Sequence, residues 1–440
     1  MSLLQKVKDV YRSLPPWVTA PVRCVPNDLL FGKSYRQCVP QVTMDYLGTN
    51  LKSVLDYARV HTVWGREHIP EFIRTEDARK IVDDLPCVST DEVAAEPQRF
   101  ISDEATDVNS YTTTTGGSGR HPTMIRLSNV SFGVEWKHML AIWQQGGYCR
   151  QKDVKVTFRG YHLKPGELVR RDPVYNELSV DPFQLNDANF PQLLAAITSK
   201  GVTCLHGYPS LVKMFMERLK AMEEKFPVRQ IMLGSEGASV ALKRELAEFF
   251  GAKVISWYGL SEKVILAYDA DATGRFMNFS SYGYPRVVDV DADGMGELVG
   301  TSFVNFAMPL INYRTGDSGR IVEEDGRQII ENLQGRWGKD FVYRSKNSRI
   351  PTAAINLHGS VQQKIIFYQL IQNEYGKMLV KVLPRTEWKS QSEVVRQEIL
   401  AEMAERLKGF EIDCQIVSDE TAFERSVRGK LIMLVQNLKT

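Results

Sequence analysis

Apolar residues in the middle of the chain follow two different periods. Ile231-Met232-Leu233 and Val254-Ile255-Ser256-Trp257 are short continuous runs, the pattern of strands buried on both faces. Between them Leu242, Leu246, Phe249 and Phe250 recur at helical spacing, with Ser239 placed to cap the start and Gly251 to supply a left-handed stop. Strand, helix and strand in this order imply a parallel pair with a right-handed crossover. The stripe Leu211, Phe215, Leu219, Met222 predicts a preceding helix that buries that face in the core. After residue 280 the pattern shortens to alternating strands with turns at Asp293-Gly294 and Asp325-Gly326, which predicts a β-rich subdomain built from hairpins.

The C-terminal hundred or so residues have their own sequence of elements. Segments 364–373 and 377–384 form a hairpin about Tyr375-Gly376, and a helix capped by Ser392 carries Val395, Ile399, Met403 and Leu407 until Gly409 ends it. A strand over 410–417 follows, then the polar Arg425-Ser426-Val427-Arg428-Gly429-Lys430 and a last apolar strand over 431–435. The fold expected is α/β. A large N-terminal domain (1–334) of several subdomains holds parallel-rich sheets and the β-rich part, and a small α+β domain (335–440) begins near Gly335-Arg336.

Composition narrows the class. A chain of 440 residues exceeds what one core usually organises, and 43% hydrophobic with 25% charged residues is ordinary for a soluble globular protein. With 55 basic and 53 acidic residues the net charge is +2, which gives no global field for nucleic acid or an anionic membrane, so neither is expected as a partner. The six cysteines contain no C-x-x-C pair and predict free thiols in a reducing compartment, not a zinc site or disulfides. The N-terminus reaches charge too soon for a signal-peptide core, and no apolar run approaches membrane-spanning length. A cytoplasmic protein is expected.

Candidate chemistry concentrates in a few polar segments. The run from Tyr111 to Pro122 includes Thr114, Thr115, Gly116, Gly117, Ser118, Gly119 and Arg120. It joins backbone freedom, hydroxyl donors and a positive charge, as a phosphate-wrapping loop requires. It lacks the Gly-Lys-Ser/Thr ending of a Walker loop, and a flexible connector has the same composition. Gly234-Ser235-Glu236-Gly237 and Tyr258-Gly259-Leu260-Ser261-Glu262 each follow one of the two parallel strands, placing both at the sheet edge where open α/β folds bind ligands. In Tyr313-Arg314-Thr315-Gly316-Asp317 the aspartate suits either turn stabilisation or hydrogen bonding to ribose hydroxyls.

In order, these segments resemble the adenylate-forming superfamily of acyl-CoA synthetases and nonribosomal adenylation domains, most closely its phenylacetate–CoA ligase and capsule-biosynthesis branch. TTTTGGSGRHP is similar to the phosphate loop, LHGYPS (205–210) to the acyl segment with His206 and Tyr208, and GSEG to the adenine loop of Gly234, Ser235 and Glu236. Trp257 precedes YGLSE, which resembles the motif with Tyr258, Gly259, Ser261 and Glu262; YRTGD resembles the ribose motif with Asp317. GRWGKD (335–340) is similar to the ribose arginine, Arg336, plus a hinge at Lys339 or Asp340, and RSVRGK to the motif of the C-terminal lysine, Lys430. The phosphate loop departs from the family's Ser/Thr-Gly-Thr-Thr-Gly core and has Arg120-His121 where many relatives place one lysine. GRWGKD has one residue more than the common hinge spacing.

The resemblance implies activation of a small carboxylic acid by ATP, release of pyrophosphate, and transfer of the acyl-adenylate to CoA, another thiol or an amine. It assigns the β- and γ-phosphates to the glycine-rich loop, Mg²⁺ to Glu262, the ribose to Asp317 and Arg336, and transition-state charge to Lys430 on a mobile C-terminal domain. Alternatives from the residues themselves stand beside it. Lys430 is equally a solvated cation next to Arg425 and Arg428, His206 a structural histidine, and Trp136, Trp143 and Tyr148 core aromatics rather than an acyl pocket. AMP transfer to another acceptor, amide formation, or a catalytically retired nucleotide or acyl binder are the competing functions. The acyl substrate and the oligomeric state are not legible.

Overall fold

A computed structural model of the chain describes residues 20–114, 123–159, 163–164, 166–181, 188–335, 341–346, 348–351, 355, 357, 361, 364–425 and 431–438. The first described elements are short helices. The longest, Leu47–His61, buries Leu51, Val54, Leu55 and Ala58 on one face. Strands β1 (Ser110–Thr114) and β2 (Met124–Ser128) pair as an antiparallel ribbon outside the main sheet.

Twelve strands make the main sheet. They are β3 (Lys155–Phe158), β4 (Val169–Asp172), β5 (Glu177–Val180), β6 (Cys204–Gly207), β7 (Gln230–Leu233), β8 (Lys253–Gly259), β9 (Leu266–Asp269), β10 (Phe276–Asn278), β11 (Gly283–Val288), β12 (Gly296–Ser302), β13 (Tyr313–Glu324) and β14 (Arg327–Gln334). In space the order is β11-β12-β13-β14-β10-β9-β8-β7-β6-β3-β5-β4. The run β5-β3-β6-β7-β8 is parallel, and β3, β5, β6 and β7 are buried along their whole length, as continuous apolar runs require. The helix Val240–Phe250 joins β7 to β8 as expected: Ser239 Oγ accepts the Leu242 N–H at 3.1 Å, and Gly251 closes it at φ 61°.

The expected hairpins form, with Asp325 and Gly326 both at positive φ between β13 and β14. They do not close on themselves. β14 pairs with β10, β10 with β9 and β9 with β8, so the hairpin region is one hydrogen-bonded sheet with the parallel strands. In the helix Pro209–Ala221 the stripe Leu211, Phe215 and Leu219 is buried, whereas Met222 is the C-cap and 40% exposed, because the helix ends before its turn reaches the core.

The smaller C-terminal subdomain has its own core. After a ribbon of β15 (Phe341–Ser345) and β16 (Ser348–Pro351), strands β17 (Ile365–Gln372), β18 (Lys377–Pro384), β19 (Glu411–Ile416) and β20 (Leu434–Gln436) form a sheet ordered β19-β18-β17-β20. Helix Ser392–Arg406 lays Val395, Ile399 and Met403 onto it. Ser392 does not cap that helix: a 3₁₀ turn, Thr386–Gln391, runs straight into it, so Ser392 is already helical at φ −58°, ψ −29°. The last strand is shorter than the apolar run, since Leu431 bridges back to Arg425 before β20 begins. Leu383, Val417, Phe423 and Leu431 of this subdomain pack into the core around helix Pro209–Ala221.

Candidate functional site

Parallel strands β6, β7 and β8 end on a common edge, and the segments singled out above leave from those ends. The chain passes closely there. A Cβ on Gly207 would lie 2.3 Å from the Phe158 carbonyl oxygen, and one on Gly234 would lie 2.4 Å from the Trp257 ring, so both positions exclude a side chain unless the neighbour moves. Gly234 N–H donates to Gly207 O at 3.2 Å, which ties the two loops together. Glu236 turns back to the start of helix Pro209–Ala221, where its Oε2 accepts the Ser210 N–H at 3.1 Å and its charge faces the positive helix end. Ser235, between them, holds φ 68°.

Tyr258-Gly259-Leu260-Ser261-Glu262 and Tyr313-Arg314-Thr315-Gly316-Asp317 cross-connect. Tyr258 Oη donates to Asp317 Oδ2 at 2.9 Å, and Tyr313 Oη donates to Glu262 Oε1 at 3.0 Å. Each segment begins with a tyrosine and carries its carboxylate four residues later, so each tyrosine holds the acid of the other. Burial and the neighbouring Asp317 carboxylate push the Tyr258 phenol well above its ordinary range; burial and Glu262 do the same to Tyr313. Both phenols therefore stay protonated donors. In the turn before Asp317, Thr315 Oγ1 accepts the Asp317 N–H at 3.1 Å and Glu297 Oε1 accepts the Gly316 N–H at 3.0 Å, so other side chains brace that turn. Gly335, the last described residue before Arg336, is close by: a Cβ there would be 3.7 Å from Asp317 Oδ1. After Glu262, Lys263 takes φ 62°, and its ammonium pairs with Glu135 on the helix Asn129–Gln144.

His206 is buried in β6, with Nδ1 3.2 Å from Thr157 Oγ1. Its ring lies over Trp257 at 5.6 Å and beside Trp143 at 5.3 Å. Burial, with the Lys155 and Arg159 charges nearby, holds it neutral well below its ordinary range. Tyr208 precedes Pro209 at the helix start, donates its N–H to Phe158 O at 3.1 Å, and has the Arg159 guanidinium 6.0 Å above its ring. Trp143 and Tyr148 are buried edge to face at 5.3 Å, and Trp136 stacks on Tyr175 at 4.9 Å. Among the described residues, Trp143 Nε1, Tyr148 Oη and Ser256 Oγ are buried polar atoms without a hydrogen-bond partner.

Residues 179–299, which include β6 to β8 and the segments that follow them but not Tyr313 to Asp317, match the family model of the AMP-binding enzymes. A phenylacetate-coenzyme A ligase of Pseudomonas putida is 26% identical over 194 residues, 41% of this chain and 44% of that protein, so the match spans under half of the relative. Among solved structures, 2-hydroxyisobutyryl-CoA ligase in its postadenylation state in complex with 2-HIB-AMP shares the fold with a TM-score of 0.64. It is 16% identical and covers 89% of this chain and 88% of that one. These likenesses support a place in the adenylate-forming superfamily. An acyl acid amido synthetase has the same adenylate-forming fold, with a TM-score of 0.54 at 14% identity over 86% of this chain and 87% of the other. Among the described residues, no helix is long and apolar enough to cross a membrane.

Within this adenylate-forming fold the structure brings together His206, Tyr208, Gly234, Ser235, Glu236, Trp257, Tyr258, Gly259, Ser261, Glu262 and Asp317 at one region of the sheet edge. Thr114 ends β1, paired with Met124. Thr115 to Arg120, Arg336, Lys339, Asp340 and Lys430 lie outside the described residues. Sequence reasoning missed Tyr313 and Thr90, whose hydroxyl is 3.0 Å from Tyr313 Oη. The repeated tyrosine-to-acid spacing was a signal for Tyr313. Nothing in the sequence marked Thr90, which is 223 residues away.

Proposed function

We propose that the chain activates a small carboxylic acid with ATP and passes the acyl group to CoA or another thiol, in the manner of phenylacetate–CoA ligases. The observation that carries this reading is the crossed pairing of Tyr258 with Asp317 and of Tyr313 with Glu262, beside Gly234 and Trp257. It sets the Asp317 carboxylate of β13 close to Glu262, which follows the carboxyl end of the parallel strand β8, and residues 179–299, which hold that strand and Glu262, match AMP-binding enzymes. In the first step a carboxylate oxygen attacks the α-phosphorus, forming the acyl–phosphate bond as the α–β phosphoanhydride breaks and pyrophosphate departs. In the second, a thiolate attacks the acyl carbon and AMP leaves.

The residue roles are those that the resemblance implies. Asp317, oriented by Tyr258, accepts hydrogen bonds from ribose hydroxyls with Arg336, and Trp257 with the loop at Gly234 to Glu236 borders the adenine. The loop from Thr114 to Arg120 takes the β- and γ-phosphates, and Lys430 stabilises charge on the phosphorane. Glu262 offers a buried hard-oxygen carboxylate whose one oxygen is fixed by a phenol, a donor that fits Mg²⁺, which takes one or two protein carboxylates along with substrate phosphates. Bound there, the ion would neutralise phosphate charge. His206 and Tyr208 border the acyl group. We further propose that the division into two domains falls near Gly335-Arg336, with the hinge at Lys339 or Asp340.

ATP–pyrophosphate exchange across a panel of carboxylic acids tests the reading: exchange that requires an acid supports it, and exchange with none of the panel at saturating ATP and Mg²⁺ counts against it. Thioester formation with CoA, set against amide formation with amines, then assigns the acceptor.

A further inference from the structure

Tyr313 stands outside the residues assigned above. Its ring is 1% exposed in the core formed with the N-terminal helices, and its backbone is held on both sides, by Gly300 in β12 and by a parallel bridge to Val88. The phenol has one proton. Since Tyr313 Oη donates it to Glu262 Oε1 at 3.0 Å, the contact with Thr90 at 3.0 Å has the Thr90 hydroxyl as donor. Thr90 is itself fixed as the first residue of helix Thr90–Ala95, which Ser89 caps by accepting the Glu92 N–H at 3.1 Å. The chain Thr90, Tyr313, Glu262 is thus anchored at its far end by a capped helix and along its middle by the sheet.

We infer that Tyr313 is a positioning residue that sets the orientation of the Glu262 carboxylate toward Mg²⁺, while Tyr258 separately orients Asp317 toward the ribose. The inference rests on the adenylation reading above. A glutamate carboxylate turns readily about its terminal bond, which is a broad torsion, and a donor on a buried ring prevents that. The two tyrosines are not interchangeable, because each bonds to a different acid, so their loss must show in different measurements.

Calorimetry of ATP binding at varied Mg²⁺, with 2′-deoxy-ATP as a second probe, separates them. Tyr313→Phe removes only the hydroxyl. It is expected to raise the Mg²⁺ concentration at half-maximal ATP binding about tenfold, the scale of one hydrogen bond to a charged group, and to leave the preference for ATP over 2′-deoxy-ATP unchanged. Tyr258→Phe is expected to reduce that preference and leave the Mg²⁺ midpoint in place. Thr90→Val shifts the midpoint in the same direction by less, and stands in for Tyr313→Phe should that variant not fold. An unmoved midpoint in Tyr313→Phe, or equal losses in both measurements from either variant, overturns the assignment, since a general loosening of the edge would act on both. Wild-type protein that binds ATP with no Mg²⁺ dependence overturns the metal role of Glu262 itself, a result distinct from an unmoved Tyr313→Phe.

Discussion

At the residue scale the site depends on which atoms hold the two carboxylates. Glu262→Gln replaces an anionic oxygen ligand by a neutral amide of nearly the same shape, and the amide still accepts from Tyr313. The expected outcome is an unchanged melting temperature and loss of pyrophosphate exchange that is steepest at limiting Mg²⁺; equal exchange at every Mg²⁺ concentration would remove the metal role. Asp317→Ala should weaken ATP binding by about 1.5–3 kcal/mol, the worth of charge-assisted hydrogen bonds. It also takes away the carboxylate that accepts from the Tyr258 hydroxyl, so some stability is lost with it. Calorimetry that finds ATP affinity intact while the melting point falls would make Asp317 structural. Glu262 was legible in the sequence because it sits in a short polar segment after a strand, and Asp317 through the likeness of YRTGD to a ribose motif. Their partners were not, since Tyr258 and Asp317 lie 59 residues apart and Tyr313 and Glu262 lie 51 apart, joined only when β13 enters the sheet.

At the scale of elements, local pattern sufficed where an element is defined by its own residues. Ser239, the apolar stripe to Phe250 and Gly251 delimit one helix from both ends, and the structure agrees to the residue. It did not suffice where pairing decides. Nothing in the Asp-Gly turns tells whether hairpins close on one another or extend a neighbouring sheet, and here β9 and β10 carry the ladder across from β8 to β14. The loop after β7 supplies a prediction at this scale. A methyl on Gly234 meets the six-membered ring of Trp257 at 2.4 Å, and that ring is packed against His206 and Trp143, so it has little room to yield. Gly234→Ala should destabilise by about 1–3 kcal/mol, the usual cost of overpacking, and lower ATP affinity as Trp257 is displaced. Gly237→Ala in the same loop meets nothing within 4 Å and serves as the control. Equal melting temperatures for the two variants would show that the edge relaxes around Trp257.

At the scale of the whole molecule, the C-terminal subdomain is held to helices Pro209–Ala221 and Val240–Phe250 by charges taken largely out of water. Arg385 Nη1 donates to Glu217 Oε1 at 2.7 Å and to Glu245 Oε1 at 2.6 Å, and Lys213 Nζ donates to the Ile365 and Ile366 carbonyls at 3.0 and 2.7 Å. Arg218 pairs with Glu420. These partners are up to 202 residues apart, so no local pattern marks the contact. The two ends of the network respond to pH in opposite parts of the scale. Burial, then the Arg385 charge, lowers the Lys213 ammonium to about 8, with Glu217 and Glu245 pulling it back and Lys220 adding to the shift. The unfolded chain keeps that proton to about pH 10.4, so from about 8 upward it binds more protons than the folded chain, and stability from this group rises with pH through that window. Glu245 has the same sign in the acid range. Burial raises its carboxyl, but hydrogen bonds from Arg385 and Lys220 outweigh that and hold it at about 2, so its contribution is present above the ordinary glutamate range near 4.3 and is lost as pH falls toward 2. Lys213→Met isolates the first effect, because it removes that ammonium and leaves the groups remote from it unchanged. The wild type should gain stability relative to Lys213→Met between about pH 8 and pH 10 in denaturant unfolding followed at each pH. A difference that stays flat across that range would mean that Lys213 keeps its proton, and that its two carbonyl contacts repay the burial of a full charge.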